Sequence, residues 1–384
     1  MTQPLRGVRI VEHGTFITGP AAAMMLADLG AEVVKVEMPG TGDPFRAFKG
    51  GLYSPHYQTY NRNKHSVALD TRNADALATF DQLIAGADVY IQNFRPGVAE
   101  KIGAGEQRLR EMNPRLVYCA ISGFGATGPY AQRPSYDTVA QAYGGLLHLL
   151  VNPENPRVVG PAMADAITGY YAAFGVMAAL LERAVSGQGK TVEVSMMEAM
   201  THFNLDAFQH LFSAGEVMDA YSRARLSQSY VLGCADGKWI SLHMSSPEKF
   251  WQGLAVAMER PQFFADPRFA TRVARVDHQE ALIAVLREIF LERPRDEWCQ
   301  RLLAQDVPHA PVYTTPEAVE DAQARHLELF VQARQPDGSP WRTVRPPIRF
   351  DGERQRSVTV PPQLGEHDPL YAKGWPAAED ANRM

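Results

Sequence analysis

The stretch RGVRIVEHGTFITGPAAAMMLADLGAEVVKVE (residues 6–37) decides the fold class. A β-rich run at 6–14 ends in glycine, an Ala/Met/Leu-rich run at 19–32 is typical of a helix, and a second β-rich run follows at 32–37. A parallel pair of strands needs a crossover of a dozen or more residues, and a helix of this length supplies it. The opening of the chain therefore predicts a parallel βαβ unit.

The same alternation of strand-like and helical runs continues downstream. The strand-like runs lie at 65–70, 87–94 and 115–122, and the helical runs at 73–85 and 105–112. Repeated βα units of this kind predict an α/β fold with a doubly wound, Rossmann-like sheet. Ligands of such sheets bind at the carboxyl ends of the strands, which here are the segments 14–19, 37–46, 93–97 and 123–134.

The second half of the chain has a different organisation. Two strand-like runs flank Asp236-Gly237, a dipeptide that favours a hairpin turn, and several helical runs follow. We therefore expect a smaller α+β domain after the large one. The predicted boundaries are a large domain at 1–200, a linker at 201–225, a small domain at 226–315, a linker at 316–345 and a C-terminal segment at 346–384.

Composition excludes several classes of protein. The 384 residues carry a formal net charge of −5, whereas a nucleic-acid binder usually carries a basic excess. The three cysteines are far apart and form no CxxC pair, so neither a disulfide framework nor a metal site is expected. The most apolar stretch, 166–181, is shorter than the roughly 20 residues of a membrane-spanning helix. No signal peptide is recognisable, and we expect a cytoplasmic protein with no membrane partner.

Asp165 is the carboxylate most suggestive of chemistry. It opens a predicted apolar helix at 165–183 that is interrupted by Thr168 and Gly169. Glycine inside a helix costs about 1 kcal/mol relative to alanine, which indicates a close approach of another element there. Two roles remain open for Asp165 at this stage. It caps the helix, or it is a nucleophile that the helix N-terminus keeps ionised at neutral pH.

Two loop motifs suggest ligands. GFGATG (residues 123–128) satisfies the GxGxxG spacing of nicotinamide-binding enzymes, but Pro129 follows it and no acidic residue stands about 20 positions later. NFRPG (residues 93–97) combines an amide, an aromatic ring and a guanidinium, which suits an adenine or a phosphate. Both motifs are also ordinary loop sequences.

Ordered segments across most of the chain resemble the class III coenzyme A transferases, the superfamily of formyl-CoA transferase, carnitine CoA-transferase and α-methylacyl-CoA racemase. The matching segments are PLRGVRIVEHG, LADLGAEVVKVE, GDPFR, NRNKHSVALD, ADVYIQNFRPGVAEKIG, NPRLVYCAISGFGATGPY, SYDTVAQAYGG, ADAITG, SGQGKTVEVSMMEA and LGEH.

This resemblance implies CoA, bound as acyl-CoA, as the substrate, with neither metal nor NAD, and an interlocked homodimer whose C-terminal segment returns to the large domain. The family's nucleophilic aspartate falls on Asp165. Its CoA-contacting positions fall on Phe16, Ile17, Leu69, Arg72, Asn93, Phe94, Lys101, Ile102 and Tyr136.

The resemblance also implies the reaction, transfer of CoA from an acyl-CoA donor to a carboxylic acid through an aspartyl-CoA intermediate. Racemisation or epimerisation of a 2-methylacyl-CoA is the alternative within the superfamily. The racemases carry a Gly-His-Asp triplet where this chain has Ser135-Tyr136-Asp137, which favours the transferase. A nicotinamide-dependent reductase and a non-catalytic CoA-binding protein are the alternatives outside it. An arginine of some members is Met38 here, so one adenine-side contact differs.

Overall fold

A computed structural model describes residues 3–245, 248–335, 337–354 and 358–376. The chain divides into two compact units. The first comprises the residues up to 147, residues 157–205 and the residues from 328 onward. The second comprises residues 148–156 and 206–327.

Over the described residues, the strands are β1 (Arg9–His13), β2 (Glu32–Glu37), β3 (Lys64–Ala68), β4 (Val89–Gln92), β5 (Val117–Ser122), β6 (Thr191–Ser195), β7 (Ser229–Gly233), β8 (Trp239–His243), β9 (His309–Pro311), β10 (Phe330–Arg334) and β11 (Pro340–Val344). The α-helices are α1 (Thr18–Asp28), α2 (Pro55–Tyr60), α3 (Ala74–Ala85), α4 (Val98–Lys101), α5 (Glu106–Met112), α6 (Asp137–Tyr143), α7 (Met163–Ser186), α8 (Met196–Phe203), α9 (Leu205–Ala214), α10 (Ser222–Ser227), α11 (Glu248–Ala257), α12 (Arg272–Asp277), α13 (Gln279–Phe290), α14 (Arg295–Ala304), α15 (Thr315–Glu320), α16 (Ala322–His326) and α17 (Asp368–Tyr371).

The first unit contains a six-stranded sheet in the order β3-β2-β1-β4-β5-β6. All of its neighbouring strands pair in parallel, so the predicted mixed α/β architecture with a parallel sheet is confirmed. Ile10 on one face of the sheet packs in a core with α1 and α7. Val11, on the opposite face, packs in a second core with α3 and α5. Helices on both faces explain why these strands are buried and apolar on both sides.

Gly169 explains the close approach that the sequence indicated within α7. A Cβ atom at this position would lie 3.0 Å from both the Ala21 Cβ and the Thr18 carbonyl oxygen of α1. Since that spacing is tighter than normal carbon contacts, only glycine lets α7 pack this closely against α1.

Helix α7 is longer than the sequence indicated. It runs for 24 residues rather than from 165 to 183, and by length and composition alone it is apolar enough to cross a membrane. One face, with Ala172 and Val176, is fully buried against the sheet, while Phe174 and Val185 on the other face are 68% and 90% exposed. The core helix of a soluble protein can have the same length and apolar composition, so these two properties are weak evidence that α7 spans a membrane.

The second unit contains a three-stranded antiparallel sheet, β7-β8-β9. Gly237 adopts a φ of +73° in the predicted hairpin between β7 and β8. The core of the second unit is built around residues of α11, α13 and α14 such as Trp251, Leu286 and Trp298.

Two segments of the later chain contain structure that the sequence pattern did not indicate. Residues 315–326 form two short helices, α15 and α16, because Asp321 is extended and its carboxylate caps α16 by accepting hydrogen bonds from the Gln323 and Ala324 N–H groups. The segment expected to be a linker at 316–345 contains the antiparallel pair β10–β11, in which Val331 and Trp341 are buried.

The buried charges of the first three strands are joined in one network. The Glu12 carboxylate on β1 accepts hydrogen bonds from the Lys35 ammonium of β2 and the Lys64 ammonium of β3, each at 2.8 Å. All three side chains are fully buried. Burial opposes ionisation of Glu12, but the two ammonium groups outweigh it and lower its pKa.

We expect Glu12→Gln to lower the free energy of unfolding by about 3–5 kcal/mol, because Lys64 is then buried without a counter-charge. The control is Glu182→Gln, which removes an exposed partner of Lys190 and costs about 0–1 kcal/mol. Urea unfolding at pH 7 measures the free energy of unfolding of both variants. Equal small losses would show that the buried network stabilises the fold no more than an exposed ion pair does.

Candidate active site

The loop that follows β1 forms one wall of the site, and Asn93 holds it in place. The Asn93 Oδ1 atom accepts a hydrogen bond from the Thr15 N–H at 2.9 Å, and its Nδ2 donates to the Thr15 carbonyl and the Thr18 hydroxyl at 2.7 and 2.9 Å. The Asn93 amide is thus engaged by the protein itself. It orders the loop rather than offering free donors to an adenine or a phosphate.

Phe16 has a left-handed backbone, with φ +61°, which is uncommon for any residue other than glycine. Asp43 stabilises this conformation, since its Oδ1 accepts the Phe16 N–H at 3.1 Å. Asp43 is itself buried and forms a salt bridge with Lys35 at 3.1 Å. The buried ion pair of Asp43 with Lys35 therefore holds Phe16, a strained residue that faces the site.

Asp165 does not cap its helix. Helix α7 begins at Met163, which places Asp165 in the first turn, and the group that accepts the free N–H groups is Asp137 of α6. The Asp137 Oδ1 accepts from Ala164 at 2.7 Å and from Asp165 at 3.2 Å. The capping role left open by the sequence therefore belongs to Asp137, and no described residue donates a hydrogen bond to the Asp165 carboxylate.

The expectation that the helix N-terminus keeps Asp165 ionised is wrong. Burial and the negative charge of Asp137 raise the pKa of Asp165 from 3.8 to about 7. At neutral pH the group is therefore divided between its acid and its carboxylate forms. Carboxylates with such raised pKa values are typical of catalytic sites. The charge of Asp165 also acts on Tyr60: burial and, after it, the negative charge of Asp165 raise the pKa of Tyr60.

Asp165 lines a cavity of about 270 Å³ at the carboxyl ends of β1, β4 and β5. This is the edge of the sheet that the sequence predicts for a ligand. Five of the residues singled out in the sequence line it together with Asp165. They are Phe16, Ile17, Asn93, Phe94 and Tyr136.

A second cavity, of about 300 Å³, lies at the ends of β2 and β3. Leu69, Arg72, Phe94 and Ile102 line it, so the two cavities together hold nine of the ten predicted site residues. Thr15, Phe94 and Val98 line both cavities. Arg72 is exposed and bound to Asp70 at 2.8 Å.

Lys101 lies apart from the other predicted residues. It is exposed at the end of α4 and lines neither cavity. Met38 lines the second cavity at the position where an arginine was missing from the sequence pattern.

The sequence did not indicate two side chains that shape the site, Asp137 and Asp43. Both act through hydrogen bonds to backbone groups 27 or 28 positions away in the chain. Asp137 stands in the segment SYDTVAQAYGG that carries the family resemblance. The sequence therefore contained the residue in a matching segment but did not indicate that it binds the N–H groups of α7.

The chain matches known proteins along most of its length. Residues 5–368 match CoA-transferase family III. The chain is 31% identical to the succinyl-CoA–D-citramalate CoA-transferase of Chloroflexus aurantiacus over 95% of this chain and 92% of that protein. It is 31% identical to the formyl-CoA:oxalate CoA-transferase of Streptomyces avermitilis, over 96% and 94% of the two chains. A crystal structure of a CAIB/BAIF family protein from Brucella suis superimposes with a TM-score of 0.86 at 31% identity, covering 96% of this chain and 98% of that one.

The raised pKa of Asp165 predicts a pH-dependent stability. Ionising this group costs folding free energy, a cost that is absent below about pH 4 and grows until about pH 7. Asp165→Asn removes the cost, so the variant should exceed the parent in unfolding free energy by up to about 4 kcal/mol at pH 8 and by almost nothing at pH 4. Urea unfolding at both pH values measures this, and a difference that does not change with pH would contradict the assignment.

Proposed function

The chain belongs to CoA-transferase family III, and we propose that it moves CoA from an acyl-CoA donor to a carboxylic acid with Asp165 as the nucleophile. The observation that carries the proposal is the placement of Asp165. It is a partly buried carboxylate with no hydrogen-bond donor among the described residues, and it faces a cavity at the ligand-binding edge of the sheet. The two relatives named above differ in both donor and acceptor, so family membership does not name the acid.

The proposed reaction proceeds by two acyl exchanges on one side chain. The Asp165 carboxylate attacks the thioester carbonyl of the donor, and the C–S bond breaks to give a mixed anhydride and CoA thiolate. The thiolate then attacks the aspartyl carbonyl, releasing the donor's acid as a carboxylate and leaving an aspartyl-CoA thioester. The acceptor carboxylate reverses these steps and leaves with CoA, which regenerates Asp165. Covalent catalysis thus divides one difficult exchange into easier steps.

CoA would extend from the second cavity to the first. Leu69, Phe94 and Ile102 offer apolar surface for the nucleotide end, and Arg72 offers a guanidinium that now pairs with Asp70. The shared lining residues Thr15, Phe94 and Val98 support one continuous ligand across both cavities. A CoA contact by Lys101 stays a prediction.

Racemisation is the weaker candidate, because it needs an acid and a base on opposite sides of the α-carbon. None of the described residues that line the Asp165 cavity is a histidine, and the position of the racemase histidine is Tyr136. The phenol of tyrosine is not a base near neutral pH. The cavity therefore supports transfer.

We also propose a homodimer, interlocked because the chain leaves the first unit, forms the second and returns. The support is an apolar stripe on the outer face of α7, where Tyr170, Phe174, Leu181 and Val185 are between 62% and 90% exposed. A contiguous apolar surface of this kind is typical of a protein interface. A second copy of the chain is the occupant that we propose for it. The cytoplasmic location stays a prediction that cell fractionation tests.

Asp165→Asn should lower CoA transfer by at least about a thousandfold, because a neutral amide cannot form the anhydride. CoA binding, measured by calorimetry, should persist. In the parent, hydroxylamine added during turnover should label Asp165 as a hydroxamate visible by peptide mass spectrometry. Substantial transfer by the variant, with its asparagine verified by mass spectrometry, would end the mechanism.

The matched control is Asp137→Asn, which keeps an oxygen to accept the α7 N–H groups but removes a negative charge beside Asp165. Its pH–rate profile should retain an ionisation that activates the enzyme, with the midpoint lower than in the parent. An unshifted midpoint would show that the ionisation in the pH–rate profile does not belong to Asp165.

Interlocking predicts slow subunit exchange, because two linked rings separate only if one of them unfolds. Differently tagged dimers mixed under native conditions should form no mixed dimers within a day, and should form them after unfolding and refolding together. Native mass spectrometry measures both states. A monomer at micromolar concentration, or rapid exchange, would contradict the interlocked arrangement.

A further inference from the structure

The carboxylates of Asp137 and Asp165 are neighbours, but they differ in their hydrogen bonds. The Asp137 Oδ1 accepts two backbone N–H groups at the start of α7, and its Oδ2 accepts a hydrogen bond from the Gln141 Nε2 at 2.6 Å. No donor among the described residues reaches the Asp165 carboxylate. Hydrogen bonds donated to an ionised carboxylate favour its charged form, whereas a nearby like charge favours the neutral form. The donors therefore favour the charge on Asp137 and the proton on Asp165.

Gln141 is the one side chain among these three donors. It lies on α6, four residues after Asp137, and it is fully buried. The two backbone N–H groups need an acceptor in any case, because they belong to the first turn of a helix. A glutamine is rarely buried so completely, and an apolar side chain would fill the same space. The packing of α6 therefore does not explain why an amide stands here.

The Gln141 amide has one possible orientation. Its Oε1 is buried and has no hydrogen-bond partner among the described residues. Turning the amide over would place this oxygen 2.6 Å from the Asp137 Oδ2, where the two oxygens would repel each other. A buried carbonyl without a partner destabilises the fold. This cost is accepted while the amide donates to Asp137, which indicates that the amide serves the charge of that carboxylate.

Other ionisable groups surround the pair without providing this contrast. They are Tyr60 of α2, Tyr136, Arg95 and Arg133 of the cavity wall, and Glu198 and His202 of α8. Both arginines are exposed, so water screens their charges. The Glu198 carboxylate accepts a hydrogen bond from the Ser195 hydroxyl, and His202 shares one with the Tyr171 hydroxyl. Besides burial, the charge of Asp137 is what raises the pKa of Asp165.

We propose that Gln141 is a positioning residue of the reaction, whose amide keeps the negative charge of the pair on Asp137 and so makes Asp165 the carboxylate that takes up the proton. The proposal rests on the proposed CoA-transferase function and adds a control of the same site by pH. Asp165 attacks a thioester only as a carboxylate. Transfer is therefore slow in acid and increases as the pH rises through the ionisation of Asp165.

The test replaces Gln141 with methionine, which is also unbranched but has no donor. The proton of the pair is then shared with Asp137, so more of Asp165 stays ionised in acid. In the parent, about one thirtieth of the transfer rate at pH 8.5 should remain at pH 5.5. In Gln141→Met this fraction should rise at least about threefold. The ¹³C NMR signal of the Asp165 carboxyl carbon, identified by its loss in Asp165→Asn, should show a lower midpoint of ionisation.

Gln141→Glu is the second variant and should behave in the opposite way. As an acid its carboxyl group donates a hydrogen bond to Asp137, and as a carboxylate it adds a negative charge. In neither form does it make Asp165 easier to ionise, so the midpoint should not fall below that of the parent.

A double-mutant cycle with Asp137→Asn tests whether Gln141 acts through Asp137. In the Asp137→Asn background there is no carboxylate for the amide to hold, so adding Gln141→Met should move the midpoint by less than about 0.2 pH units.

The matched control is Gln107→Met. Gln107 on α5 also donates to a carboxylate four residues later, that of Glu111 at 2.9 Å, but it is exposed and lines neither cavity. Its replacement should leave the pH–rate profile unchanged. Circular dichroism confirms that each variant is folded.

Failure of the inference is distinguishable from failure of the proposed function. A parent that transfers CoA to no acid from any donor would refute the function, while the NMR titration would still decide whether Gln141 directs the proton. A Gln141→Met variant with the parent's pH–rate profile and NMR midpoint would overturn the inference alone. An equal fall of the midpoint in the parent and Asp137→Asn backgrounds would also overturn it, since Gln141 would then act on Asp165 without Asp137.

Discussion

The ion pairs of Glu12 with Lys35 and Lys64 are the constraint on which the site depends. They join the first three strands of the sheet below the loop that follows β1. Lys35 also donates a hydrogen bond to the Gly14 carbonyl at 2.8 Å, and Lys64 donates one to the Pro20 carbonyl at 2.8 Å. The start of the loop and the first turn of α1 that follows it are thus bound to the same buried charges. Burying these charges has a high desolvation cost. Any arrangement that separated them from the groups that neutralise them would leave a buried charge uncompensated.

The environment of the Asp165 carboxylate follows from a second constraint, the need of α7 for hydrogen-bond partners at its first turn. Helix N-termini present free N–H groups that a carboxylate satisfies well. Asp137 meets this need from another helix, so the Asp165 side chain is left without a donor. The same arrangement places two carboxylates near one another, which raises the pKa of Asp165. The arrangement that leaves the Asp165 carboxylate without a hydrogen-bond donor therefore also raises its pKa.

The C-terminal part of the chain completes the first unit rather than following the second. Arg46, which binds Glu37 of β2, also donates to the Pro362 carbonyl at 3.2 Å. Tyr371 donates to Glu32 at 2.8 Å, and Trp375 donates to the Leu83 carbonyl at 2.7 Å. These bonds join residues about 300 positions apart and fasten the C-terminal segment to the first unit.

The sequence by itself determined the class of sheet, the bounds of β2 and the candidate Asp165, because strand length, helical runs and glycine positions are local properties that a pattern of neighbouring residues expresses. The glycine within α7 even indicated a close approach before its partner was known. Only the tertiary structure decided that Asp137 caps α7, that the Asn93 amide is engaged by Thr15, and that Asp165 has a pKa near 7. These properties depend on which distant groups meet and how much water they exclude, and no local pattern of residues encodes that distance or that burial.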